Sequence, residues 1–301
     1  MSWVDAFVAG ALLGGVYALL AAGLALVVAV MGAVDLAHGH VALLGTFLAW
    51  TIGDVTGVDP VLNLALVVPV MFAAGYALQL GVVDRVMPRV DPLGWVVVTL
   101  AAAVIIQNGL VEVYSDEERT LDPGVLDGEQ VVLAGRLTVE WPSLARFAAS
   151  VALIGLLHLL LTRTPTGRLL RAGADDGDAA TLFGVDPRRM RARAMGLAAA
   201  TAAVAGVFVG MGATFGPADG PVWLIFAFEA LIIGGLGTWR GAVVGGVVLG
   251  VAQAIGAEVS PGWGELAGHL VFVVVLAVRP AGLVRTAGAA SGRGARTGVP
   301  T

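Results

Sequence analysis

Nine apolar segments, near residues 6–30, 36–52, 61–83, 94–114, 144–162, 190–213, 222–237, 240–257 and 265–279, follow one another with little polar chain between them. A run of about 20 apolar residues is what carries a helix across the hydrocarbon core of a bilayer. Backbone amides find no water there, so each such run must close its hydrogen bonds internally, as a helix does. The fold class that follows is an all-α integral membrane protein, a polytopic bundle of about nine transmembrane helices, with a range of roughly eight to ten. The last three segments are short and glycine-rich, which makes one of them a candidate for a re-entrant or broken helix. Composition agrees: 58% of residues are hydrophobic and only 13% charged, against roughly 25% charged in a soluble domain.

Every basic side chain other than histidine is an arginine, and the arginines are unevenly spread. Arg85 and Arg89 occupy one loop, and seven more lie between Arg163 and Arg193. Arg240 follows, and then a tail with Arg279, Arg285, Arg293 and Arg296. The intervening loops are acidic: Asp54 and Asp59 in one, and Asp116, Glu117, Glu118, Asp122, Asp127, Glu129 and Glu140 in another. Short basic loops stay on the cytosolic side, so the N-terminus is expected outside and the C-terminus in the cytosol. On that count the segment 31–40 falls on the cytosolic side although it carries no arginine. The apolar run at the N-terminus has no basic residue ahead of it and is too long for a signal-peptide core, so it reads as a retained span. The organisation expected is a single transmembrane domain over 1–286, with an extracytoplasmic loop at 115–143, a structured cytosolic loop at 163–193, and a flexible cytosolic tail at 287–301.

The cytosolic loop has its own local order. Asp175, Asp176 and Asp178 crowd the start of a short helix, where exposed amides and the dipole favour carboxylates. Gly184 suits its C-terminal cap. Asp186 followed by Pro187 is an N-cap with a first-turn proline, opening the next helix. The short helix leaves Ala179, Leu182 and Phe183 on one side, an apolar face too small to fold alone. It packs either under the protein's own helix ends or into a partner.

Polar residues inside apolar spans are costly and usually face a cavity or a partner. Asp35, His38 and His40 cluster beside an apolar helix start, as either an interfacial loop or a site. Gln107 and Asn108 lie deep in the fourth span, Glu229 in the seventh and Gln253 in the eighth. Glu229 is the strongest functional candidate, because a lone acid in a span must be protonated, paired or wet. His158 and His269 read as interfacial. Glycines spaced by four, among them Gly10 with Gly14, Gly206 with Gly210, and Gly246 with Gly250, predict close helix packing.

Several classes are excluded. Without cysteine there is no disulfide or thiolate chemistry, and without lysine there is no standard Walker A loop. The histidines show no metal-ligand spacing, so no metal, cofactor or catalytic residue is expected, and enzyme motifs are missing. The arginines track membrane topology rather than a nucleic-acid surface.

Five stretches in order resemble the permeases of branched-chain amino acid ABC transporters. They are Gly14-Gly15-Val16-Tyr17-Ala18-Leu19, Asp35-Leu36-Ala37-His38-Gly39-His40, Thr99 through Asn108, Gly167-Arg168 through Gly184, and Gly234-Gly235-Leu236-Gly237 through Gly246. The short N-terminus and the Ala-His-Gly segment are similar to the LivH branch. The family commonly has Asn-Phe before Ala-His-Gly where this chain has Asp35-Leu36, and often an acid where it has His40. The resemblance implies a pore-forming subunit in a bacterial plasma membrane that does not itself hydrolyse ATP. It further implies a second, LivM-like permease, two cytosolic ATPase subunits and an extracytoplasmic solute-binding protein as partners. It maps the ATPase coupling segment onto Asp178, Ala179, Ala180, Leu182, Phe183 and Gly184. Asp35, His38, His40, Gln107, Asn108 and Glu229 become candidates for the translocation path. The alternatives are a proton-coupled secondary transporter using Asp35 or Glu229, and a membrane scaffold.

Overall fold

The structure, a computed structural model, describes residues 3–86, 92–128, 130–133, 137–175, 181, 186–235 and 239–284. The helices are α1 (Trp3–Met31), α2 (His38–Thr56), α3 (Pro60–Val86, with a π-helical turn at Gln79–Val83) and α4 (Pro92–Tyr114). They continue with α5 (Trp141–Arg163), α6 (Pro165–Asp175), α7 (Pro187–Gly210), α8 (Gly220–Gly234), α9 (Trp239–Val259) and α10 (Gly264–Val278). Six of them, α1, α3, α4, α5, α7 and α9, are long and apolar enough to cross a membrane, and α8 and α10 are shorter apolar helices. The chain is a multi-pass membrane protein. Between α4 and α5 lies a hairpin, β1 (Gln130–Leu133) against β2 (Leu137–Glu140), and an isolated antiparallel bridge pairs Arg119 with Phe215.

The start signal read at Asp186–Pro187 acts as expected, whereas Asp175, read as opening a short helix, is instead the last residue of α6. Asp186 caps α7, accepting from the amides of Arg188 (2.9 Å) and Arg189 (3.4 Å), with Pro187 in the first turn. Asp59 caps α3 in the same way, accepting from Val61 N at 2.7 Å ahead of Pro60.

Helices α1 and α7 form the centre. In their most apolar stretches 72% and 78% of residues are buried, against 17% in α4 and 11% in α5. What places them there is small side chains rather than greater hydrophobicity. Gly10 and Gly14 of α1 face Gly250 and Gly246 of α9, so closely that a Cβ on Gly14 would lie 2.5 Å from the Gly246 carbonyl oxygen. The spacing-of-four glycines thus form one antiparallel seam. Gly206 and Gly210 of α7 do the same job against Ala42 and Thr46 of α2.

Candidate functional site

The segment between α1 and α2 is not the surface loop expected from its place in the chain. After Gly32, whose φ of 70° turns the chain, residues 33–40 run back into the bundle. Asp35 and His38 are each 1% exposed and His40 is 4% exposed. Buried backbone must be paired, and here side chains supply part of that pairing. Thr99 of α4 accepts from Leu36 N at 3.3 Å, and Asp35 Oδ1 accepts from Ala37 N at 2.9 Å. The absence of arginine from this segment has the same physical cause, because its buried return leaves no aqueous position for one.

His38 fixes the depth. Its Nε2 donates to the Leu20 carbonyl at 3.0 Å, and its ring lies against Gly23 of α1, which also faces Ala198 near the midpoint of α7. Helix α2 therefore begins half-way along the bundle. So does α8: Gly39 of α2 packs against the first turn of α8, where a Cβ would meet Leu224 N at 2.6 Å, and Gly220 packs on the His40 ring. Only glycine permits this approach. Two helix N-termini, each the positive end of a dipole, thus meet at mid-depth. Discontinuous helices of this kind form solute sites in transporters.

His40 Nε2 donates to the side-chain Oε1 of Gln107 on α4 at 3.3 Å, and its buried Nδ1 has no hydrogen-bond partner. The structure thus joins Asp35, His38, His40 and Gln107. It does not join the other two candidates. Asn108 lies on the exposed side of α4, donating to its own helix at the Val104 carbonyl, 2.8 Å. Glu229, 3% exposed, lies further along α8 and accepts from His269 Nδ1 of α10 at 2.5 Å.

His269, read as interfacial, keeps a side chain 41% exposed and is also the partner of the buried Glu229 carboxylate. A pairing between residues 40 apart has no local sequence signal, although a buried acid does require some partner. Among the described residues, no three His, Asp or Glu gather as metal ligands.

A cavity of about 410 Å³ opens beside α8's first turn, between α1, α5, α7 and α9. Its polar lining includes Tyr17, Arg146, Asp219, Gln253 and Glu265, and its apolar wall includes Leu12, Val16, Trp223 and Phe226. Tyr17 donates to Gln253 Oε1 at 2.7 Å. A second cavity, about 460 Å³, adjoins the other half of α1, with Leu26, Leu157, Arg171 and Arg240 in its lining.

The coupling residues Asp178, Ala179, Ala180, Leu182, Phe183 and Gly184 lie outside the described residues. The helix that follows them is described, and it is anchored. Arg191 (3.0 Å) and Arg188 (3.5 Å) of α7 grip Asp84 at the end of α3, and Gln79 donates to the same carboxylate at 3.0 Å.

The sequence matches the family described as "Branched-chain amino acid transport system / permease component" over residues 6–279. It is similar to the high-affinity branched-chain amino acid transport system permease protein BraD of Pseudomonas aeruginosa, 28% identical with 94% of this chain and 95% of the relative covered. It is also similar to the permease protein LivH of Escherichia coli K12, 28% identical over 91% and 93%. A probable LivH of Methanocaldococcus jannaschii is 29% identical over 79% and 76%. No solved structure matches significantly. The buried polar junction and the match along nearly all of the membrane-embedded chain lead to one assignment: the chain belongs to the branched-chain amino acid permease family, LivH-like in kind, and is a transport subunit rather than an enzyme.

Proposed function

We propose that this chain is a pore-forming subunit of an ATP-driven importer for branched-chain or related amino acids, working in a bacterial plasma membrane. The observation that carries the reading is the family match over residues 6–279. A solute-binding protein delivers the solute from outside, and a second permease completes the pore. Two ATPases dock at the loop 163–193 and drive the change of access. The membrane path runs past the mid-depth junction of α2 and α8, where Asp35, His38, His40 and Gln107 offer polar groups to a solute that has left water.

Nine helices, α1–α5 and α7–α10, traverse or enter the membrane in this reading, with the N-terminus outside and the C-terminus in the cytosol. Since α2 and α8 start at mid-depth, each supplies half a crossing together with the non-helical chain before it. Cysteine is absent, so Asp122→Cys and Ala290→Cys can be labelled singly in whole cells and inverted vesicles. Labelling is expected from outside at 122 and from the cytosol at 290; both from one side would overturn the orientation.

Coupling is tested by co-purification and hydrolysis. Ala180→Trp, and Gly184→Val where positive φ is expected, should release the ATPases and abolish binding-protein-stimulated ATP hydrolysis while the permeases still pair. Normal stimulation in both variants would remove the loop from the coupling role. The Glu229–His269 pair keeps a second reading alive, a proton-coupled carrier, since a buried acid–imidazole pair is a common proton relay.

A further inference from the structure

The 410 Å³ cavity beside the first turn of α8 has a charge pattern that the junction lacks. Its size falls within the roughly 300–1,000 Å³ usual for small-molecule sites. Arg146 enters it from the start of α5, held by three neutral oxygens: Phe208 O at 3.1 Å, Pro142 O at 3.2 Å and Ser143 Oγ at 3.1 Å. Among the described residues no carboxylate stands within ion-pair distance of it. A guanidinium has five N–H donors, so donors remain for an incoming anion.

Asp219 lines the same cavity at the head of α8. Its Oδ2 accepts from Gly216 N at 2.8 Å, and no described basic group pairs with it. In the same cavity, Gln253 is 7% exposed and its amide nitrogen is buried with no hydrogen-bond partner, while its oxygen is taken by Tyr17. A buried donor without a partner is destabilising, so the site is incomplete as it stands. Glu265, Ser143 and Thr214 also line the cavity, and Leu12, Val16, Trp223 and Phe226 supply an apolar wall.

We infer that this cavity is the receiving site for a free α-amino acid with an apolar side chain. Arg146 takes the carboxylate. Asp219 takes the ammonium, the Gln253 amide completes the polar contacts, and the aromatic and aliphatic wall covers the side chain. The inference rests on the importer reading and adds to it a site that recognises both ends of a zwitterion.

The experiment uses the assembled transporter with its ATPases and binding protein, reconstituted in liposomes. In the first arm Ala213→Cys, at an exposed position on the cavity wall, is labelled with a maleimide. The probes are leucine, its α-keto acid and its decarboxylated amine. Leucine should slow labelling while the two half-ligands do not; equal labelling with all three overturns the site. In the second arm Arg146→Gln and Asp219→Asn should each raise the KM for leucine uptake about ten-fold or more, the loss expected of one charge-assisted contact.

Arg146 also closes the end of α7 through Phe208, so Arg146→Gln can fail to assemble. Asp219→Asn is isosteric and keeps an oxygen for Gly216 N, so it decides alone in that case. Wild-type KM in an assembled Asp219→Asn transporter would overturn the proposal. The importer reading fails separately, if loaded binding protein does not stimulate ATP hydrolysis even in the wild type.

Discussion

Helices α1 and α4 are both long, both strongly apolar, and treated oppositely by the fold. Their most apolar stretches have mean hydropathies of 2.3 and 2.0, yet 72% of the first is buried and 17% of the second. Hydrophobicity cannot sort helices when the solvent is hydrocarbon. What differs is the availability of flat backbone. Helix α1 offers Gly10 and Gly14 to Gly250 and Gly246, where its backbone lies against that of α9, whereas Gly109 of α4 has nothing within 4 Å. Helix α4 shows Val97, Ile105 and Val113 outward, 58%, 71% and 72% exposed, to lipid or to a second permease.

The largest effect that can break this comparison is bulk in the seam. Gly14→Leu and Gly246→Leu should abolish folded protein, because the clash is with backbone that cannot rotate away. Overpacking costs 1–3 kcal/mol even where side chains can adjust. Gly109→Leu and Gly155→Leu, both with open space around them, should leave the melting temperature of the isolated chain within a degree or two. Detergent-stable yield and thermal melting of all four check this, and equal losses in both pairs would refute the role given to backbone approach.

Next comes the anchor of α7. Asp84 is 2% exposed at its side chain and Arg191 14%, while Arg188 is 59% exposed. Removing one partner of a buried pair costs about 3–5 kcal/mol, but an exposed partner contributes at most about 1 kcal/mol. Asp84→Ala should therefore destabilise strongly and Arg188→Ala hardly at all, as read by thermal melting. Similar melting for the two would mean that Arg191 is not the working partner.

Smaller in stability, and larger in function, is Glu229→Gln. The amide keeps an oxygen that can accept from His269 Nδ1, so assembly should stay near wild type while the uptake rate falls several-fold. Full uptake by an assembled Glu229→Gln transporter would reduce the pair to packing.

Much of this was legible in the sequence, because the bilayer imposes a strict rule on segment length. Each apolar segment contains a helix, six of these helices are long and apolar enough to cross a membrane, and Asp186–Pro187 begins α7 where the residues say it should. The glycine seam was legible as spacing, although not which helix it would meet. Two features were hidden. A helix that starts at mid-depth looks like one that starts at the surface, since Asp35, His38 and His40 suit a loop and a buried turn equally well. The pairings of Glu229 with His269, Tyr17 with Gln253, and Asp84 with Arg191 join residues far apart in the chain. Each group announces that it needs a partner, and only the packing says which.

The most direct test of the importer account is uptake of labelled leucine into liposomes under two driving forces. The assembled transporter, with ATP presented to its ATPases and loaded binding protein on the opposite face, should accumulate leucine. Accumulation should stop when ATP or binding protein is withheld, and continue when a protonophore collapses the proton gradient. Accumulation by this chain without ATPases, driven by a proton gradient alone, would contradict the account and establish the Glu229–His269 carrier in its place.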